Sequence, residues 1–178
     1  TRGTRKDSLM AVELIFNNLD TAYETGSDID ARRNMLKASF YAGCAFTKSY
    51  VGYVHAVAHS LGGEYNVPHG LANAILLPFV LESYGEKIHK KLYKLAVAAG
   101  IADKDTPYDE AAALFIDAIK DMKKRYGIGD TVKEIRTEDI NKLAKYADKE
   151  ANPLYPVPVL MNAKELEQFY YMLMEEEA

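Results

Sequence analysis

From one end of the chain to the other, apolar residues recur at intervals of three and four, and no stretch alternates convincingly enough to read as a strand. That period places them along one face of an α-helix. The chain must therefore fold by burying helix faces against one another. Leu9, Val12, Leu14, Ile15 and Leu19 make the first stripe, with Gly26 as its stop signal. Asp28 is placed to cap a second helix through Ala31, Met35, Ala38, Ala42 and Ala45 to about Phe46. Its small residues, Ala38 to Ala45, suit close approach to a neighbour. A third helix begins near Val54 and is expected to end at Gly62-Gly63. Pro68, suited to a first turn, opens a fourth through Leu71, Ile75, Leu76 and Val80. A fifth runs from about Glu86 to Ala99 and stops at Gly100. Thr106-Pro107 opens a sixth, with its apolar stripe from Ala111 to Met122 and its end at Gly127. Thr137-Glu138-Asp139 is expected to cap a seventh, reaching about Lys149. The prolines of Asn152 to Pro158 forbid a helix there, and the last helix runs from about Ala163 to Met174. The expected architecture is all-α, a multi-helix bundle of seven to nine helices in a single domain over residues 1–178.

Composition narrows the function. With 22 Lys and Arg against 26 Asp and Glu, the net charge of −4 is too mild for a strongly basic nucleic-acid binder or an acidic disordered tail. The purely apolar runs, such as Ala111 to Ile116, are too short to span a bilayer. Cys44 is the one cysteine, so no intrachain disulfide can form, which favours a reducing, cytoplasmic setting. No basic stretch followed by an apolar one opens the chain, so a signal peptide is not expected. It starts at Thr1 without Met, and a fragment of something longer is the expectation.

Of the 4 histidines, His55, His59 and His69 fall within fifteen residues. His55 and His59 are four apart and share one helix face. The chain then reverses, and His69 sits in the first turn of the next helix, where it can return towards His55. Two neutral imidazoles brought together this way are a natural pair for a divalent metal. Hydrogen-bonded core histidines are the other reading. A zinc-protease helix is excluded, because Ala56 stands where that motif needs Glu.

The text around these residues is more specific. Ala42-Gly43-Cys44-Ala45-Phe46, then Gly52-Tyr53-Val54-His55-Ala56-Val57-Ala58-His59-Ser60-Leu61-Gly62-Gly63, then Pro68-His69-Gly70-Leu71-Ala72-Asn73-Ala74-Ile75-Leu76-Leu77-Pro78 closely resembles the signature of the iron-containing (group III) alcohol dehydrogenases. The resemblance extends along the whole chain, but covers only about the C-terminal half of a family member. It implies the helical C-terminal domain of the dehydroquinate synthase-like fold. It also implies a separate Rossmann-like cofactor domain, absent from this chain, as an expected partner. In the family an Asp and three His hold Fe²⁺, or Zn²⁺ in some members. Two of those histidines match His55 and His69. The family histidine matching His59 lies near nicotinamide and substrate, which implies a catalytic and cofactor-binding role. The remaining Asp and His match positions before Thr1. Lys48 departs from the Asn that many relatives carry there.

The activity so implied is interconversion of small alcohols with aldehydes or ketones, using NAD or NADP, by residues shared with the missing half. Residues 1–178 alone are expected to bind metal weakly or not at all and to be inactive. A Zn²⁺-dependent polyol or glycerol dehydrogenase is a neighbouring reading, and a helical binding module without catalysis is the alternative from another class. A homo-oligomer is compatible with any of them.

The remaining residues have plainer readings. Cys44 is expected to be a buried thiol, and His89 an exposed helix residue. Lys120, Lys123, Lys124 and Arg125 read as a solvated helix face, and Glu175-Glu176-Glu177 as a frayed tail. Phe46, Tyr53 and Phe79 are candidates either to wall a substrate pocket or to pack in the core. The 13 tyrosines scatter as core and partner-facing residues.

Overall fold

The computed structural model describes residues 2–175. Its order is α1 (Arg2–Glu24), α2 (Ile29–Ser49), α3 (Tyr53–Tyr65), α4 (His69–Tyr84), α5 (Glu86–Ala98), α6 (Tyr108–Arg125), a 3₁₀ turn at Thr137–Asp139, α7 (Ile140–Ala151) and α8 (Ala163–Leu173). Among the described residues there is no strand, so the all-α reading holds. Two compact units divide the chain: residues 1–50 with 88–115, and residues 51–87 with 116–178.

In the first unit, α1 and α2 make a helical hairpin. The buried residues of α2 are Ala31, Ala38 and Ala45, one every seven positions. Thr4 and Ala11 are buried at the same interval on α1. Asn18, one interval further, accepts a bond from the Asn34 amide at 2.8 Å. The small buried residues of α2 let it pack closely on α1, as its text suggested. The turn is set by Asp28, whose carboxylate accepts the Ala31 N–H at 2.8 Å as an N-cap. Phe16 packs on Phe115 with ring centroids 5.6 Å apart, and Tyr93 on Tyr108 at 4.8 Å.

The second unit holds the histidines. Here α3 packs on α4 and α7, and α8 packs on α4 and α7. Its core is built from Val57, Leu61, Leu76, Val80, Ile140, Leu143, Leu166, Phe169 and Leu173, all almost free of solvent. A capping box at Asn162 and Glu165 starts α8. The buried Tyr170 hydroxyl meets Ser60 Oγ of α3 at 2.6 Å. Burial of that phenol pushes its pKa up, so it stays a neutral hydrogen-bonding group.

Several local expectations need correction. Gly62-Gly63 does not end α3, which runs on to Tyr65. The residue that turns the chain is Asn66, at φ 55° and ψ 28°, with its N–H on the Gly62 carbonyl at 3.0 Å. Asn tolerates this left-handed conformation better than other side chains, and Pro68 two residues on cannot continue a helix. Thr137-Glu138-Asp139 is a 3₁₀ turn leading into α7, and Asp139 makes no side-chain cap. Lys123 is buried: its ammonium bonds Asp130 Oδ1 at 2.7 Å and lies over the Phe79 ring. Cys44 and His89 are each half-buried, where burial and exposure respectively were expected. Phe46 is exposed, and so is Lys48. Of the acidic tail, Glu176 and Glu177 lie outside the described residues. No described helix is long and apolar enough to cross a membrane.

Candidate functional site

The α3–α4 hairpin places the three histidines together. His55 lies one helical turn before His59, and the reversal at Asn66 brings His69, the first residue of α4, back to both. Ring centroids are 5.8 Å apart for His55 and His59, 5.4 Å for His55 and His69, and 5.2 Å for His59 and His69. The last pair is stacked, with 23° between the rings. The sequence reading of one shared cluster is therefore met in the structure.

The electrostatics favour the neutral form of His55. Burial lowers the pKa of His55, and the neighbouring His59 and His69 lower it further, against an opposing pull from Glu150. A neutral imidazole is the form that coordinates a metal. His69 is held by Asn73, four residues on, whose amide donates to the His69 carbonyl at 2.8 Å and stands 3.1 Å from its Nε2. The Asn73 Oδ1 is buried and has no partner among the described residues.

Two side chains unnoticed in the sequence complete the cluster. Glu150 Oε1, in the last turn of α7, is 2.7 Å from His59 Nδ1. The Tyr155 hydroxyl donates to the same oxygen at 2.8 Å. Tyr155 is fixed in turn by its own N–H on the Ala151 carbonyl at 2.7 Å. Burial, then the adjoining carboxylate, pushes the Tyr155 phenol up to about 12, so it remains a donor.

With Nδ1 committed to Glu150 and its face stacked on His69, the His59 ring is not turned to join His55 and His69 around a common point. Among the described residues no group of three or more His, Cys, Asp or Glu side chains is arranged to hold a metal ion. The donor chemistry of His55 and His69 fits part of a divalent metal's requirement, since iron and zinc sites use three or four protein ligands.

Beside His55 lies an apolar cavity of about 410 Å³. Its walls include Val54, Leu77, Val157 and Tyr84, with Asn73 and His55 at one side. Tyr53 also borders it, so this residue serves both the core and the cavity wall. Phe79 does not border it. Burial raises the pKa of the Tyr84 phenol that lines it.

Comparison with known proteins identifies the family. A family model described as "Fe-containing alcohol dehydrogenase family, C-terminal" matches residues 5–174. Alcohol dehydrogenase 4 of Saccharomyces cerevisiae is 38% identical over 148 residues, which cover 81% of this chain and 37% of that one. The 1,3-propanediol dehydrogenase of Citrobacter freundii is 36% identical over 165 residues, covering 92% and 42% respectively. The solved structure of the alcohol dehydrogenase from Oenococcus oeni superposes with a TM-score of 0.89 at 30% identity, over 97% of this chain and 45% of that one. The chain thus spans less than half the length of the relatives it matches. A match from residue 5 to residue 174, with the three histidines gathered on one hairpin, shows that the chain belongs to the Fe-containing alcohol dehydrogenase family and corresponds to its C-terminal part.

Proposed function

We propose that this chain is the metal-binding, catalytic part of an NAD(P)-linked alcohol dehydrogenase that interconverts small alcohols with aldehydes or ketones. The observation that carries the reading is the gathering of His55, His59 and His69 within 5.2 to 5.8 Å, ring to ring, in a chain of this family. His55 and His69 would hold the metal, with further ligands from outside this chain. When bound, Fe²⁺ or Zn²⁺ supplies a Lewis acid for the substrate oxygen, and NAD or NADP supplies the hydride acceptor.

The chain's own residues do the rest. Neutral His55 presents a nitrogen lone pair. Asn73 restrains the start of α4 and so the placing of His69. His59 stands against both rings, where it can orient the substrate hydroxyl or hold its proton. The apolar walls beside His55 take the carbon body of a small alcohol. The name of the Citrobacter freundii relative, which specifies a three-carbon diol, supports a substrate of this size.

The test is metal content and activity of the full-length protein with three single substitutions. His55→Ala and His69→Ala should each lose the metal and the activity. His59→Ala should keep the metal and lower turnover without abolishing it. Retention of metal by both His55→Ala and His69→Ala would refute the assignment. Residues 1–178 alone should bind Fe²⁺ or Zn²⁺ weakly, and isothermal titration giving sub-micromolar affinity would contradict that.

A further inference from the structure

His59 has two ring nitrogens, and only one of them is accounted for by the site as described. Its Nδ1 is 2.7 Å from Glu150 Oε1. A carboxylate oxygen accepts in such a contact, so the hydrogen lies on Nδ1, and in the neutral ring the lone pair lies on Nε2. Isolated imidazole has no such restriction, and its tautomer is set by whatever the other nitrogen meets.

The carboxylate is itself held. Tyr155 donates to the same Oε1 at 2.8 Å, and Tyr155 is anchored by a backbone bond to Ala151. Glu150 and Tyr155 thus approach from the end of α7 and the segment that follows it, while His59 comes from α3, which packs on α7. Two donors converging on one oxygen leave the carboxylate little freedom to turn. Neither residue touches His55 or His69 by any hydrogen bond the structure shows. An imidazole whose far nitrogen is bonded to a carboxylate keeps its orientation and gains basicity at the near one.

We propose that Glu150, braced by Tyr155, is a positioning residue that holds His59 as its Nδ1–H tautomer, leaving the Nε2 lone pair for the substrate hydroxyl. The consequence for turnover rests on the dehydrogenase reading; the tautomer does not. The arrangement makes Glu150 act only through His59. Its removal should matter while His59 is present and should not matter once His59 is gone.

The experiment uses the full-length protein, loaded with Zn²⁺ and selectively ¹⁵N-labelled at histidine, with His59→Gln to assign the signal. In the unsubstituted protein, His59 should show a protonated Nδ1 and an unprotonated Nε2. In Glu150→Ala this should change to the Nε2–H form or a mixture. Kinetically, Glu150→Ala should lower kcat about 10- to 100-fold with little change in KM for the alcohol, the range typical of such supporting groups. Tyr155→Phe should show a smaller loss in the same direction. In a His59→Ala background, Glu150→Ala should cost no further activity. Glu150→Gln, which keeps an acceptor oxygen, should recover part of the loss. The proposal is overturned if His59 stays Nδ1–H in Glu150→Ala, if the two substitutions multiply, or if Glu150→Ala loses its zinc and so behaves as a ligand. Should the full-length protein show no dehydrogenase activity, the functional reading fails, and the ¹⁵N spectra still decide the tautomer.

Discussion

The Tyr53 hydroxyl receives the Met161 backbone N–H at 2.8 Å, joining the first residue of α3 to a residue 108 positions later. The same hydroxyl lies 3.0 Å from the Met161 carbonyl and 3.1 Å from Asn152 Oδ1. Asn152 donates to the same carbonyl at 2.8 Å. One buried phenol thus fixes both ends of the segment that carries Tyr155.

Tyr53→Phe is therefore expected to be costly for so small a change. It leaves the buried Met161 N–H without its acceptor, a loss of about 1–3 kcal/mol. Urea denaturation of the full-length protein should show a lower midpoint for Tyr53→Phe. A midpoint within error of the parent would mean that the N–H is satisfied some other way.

The parts of this fold legible in sequence are those governed by local rules. Among the described residues, apolar spacing and Pro or Gly punctuation place the helices to within a few residues, except the start of α1, which begins at Arg2, seven residues before its first apolar stripe residue, Leu9. The histidine cluster was legible for the same reason, since a four-residue interval and one reversal suffice to gather it. What was not legible depends on partners far along the chain. Glu150 is 91 residues from His59, and nothing in its surroundings marks it. Asn73 was within reach of the same interval rule, four residues after His69. Lys123 reads as one of four basic residues on a helix, and only Asp130 and the face of Phe79 explain its burial.

Gly63 gives a test of the corrected end of α3. It lies inside the helix, it is exposed, and a Cβ placed there would meet nothing within 4 Å. Glycine in such a position costs roughly 0.5–1 kcal/mol relative to alanine. Gly63→Ala should accordingly raise the thermal midpoint. Asn66→Val should lower it, because a β-branched residue is strained at the positive φ of that site. If Gly63→Ala destabilised and Asn66→Val did not, the helix would end at the glycines after all.

Lys123 and Lys120 sit one turn apart and should respond differently to truncation. Lys120 pairs with Glu82 in an exposed setting, where an ion pair contributes about 0–1 kcal/mol. Lys123 is 5% exposed, and its stem is packed along its length. Lys123→Ala should cost about 1–3 kcal/mol, and Lys123→Met, which keeps the stem, should recover most of it. Equal effects of Lys120→Ala and Lys123→Ala in chemical denaturation would contradict this account of the buried stem.

Asp139 makes the acid stability of the second unit measurable. Its carboxylate accepts the Tyr65 hydroxyl at 2.9 Å and the Arg136 guanidinium at 2.7 to 2.8 Å, with Lys142 at 3.5 Å. The Tyr65 bond first, and then the Arg136 bond, hold it below the ordinary value of 3.8. Because its pKa is lower in the folded state than in the unfolded one, the unfolded chain binds the proton more readily as pH falls. The stabilisation is therefore complete above 3.8 and is lost as pH drops through the folded value. Asp139→Asn removes the charge at every pH. The parent should unfold at a higher urea concentration than Asp139→Asn at about pH 6, and the difference should shrink progressively once the pH is below the ordinary carboxylate range. A difference that stayed constant through that range would show that the carboxylate contributes by shape and neutral hydrogen bonding instead of by charge.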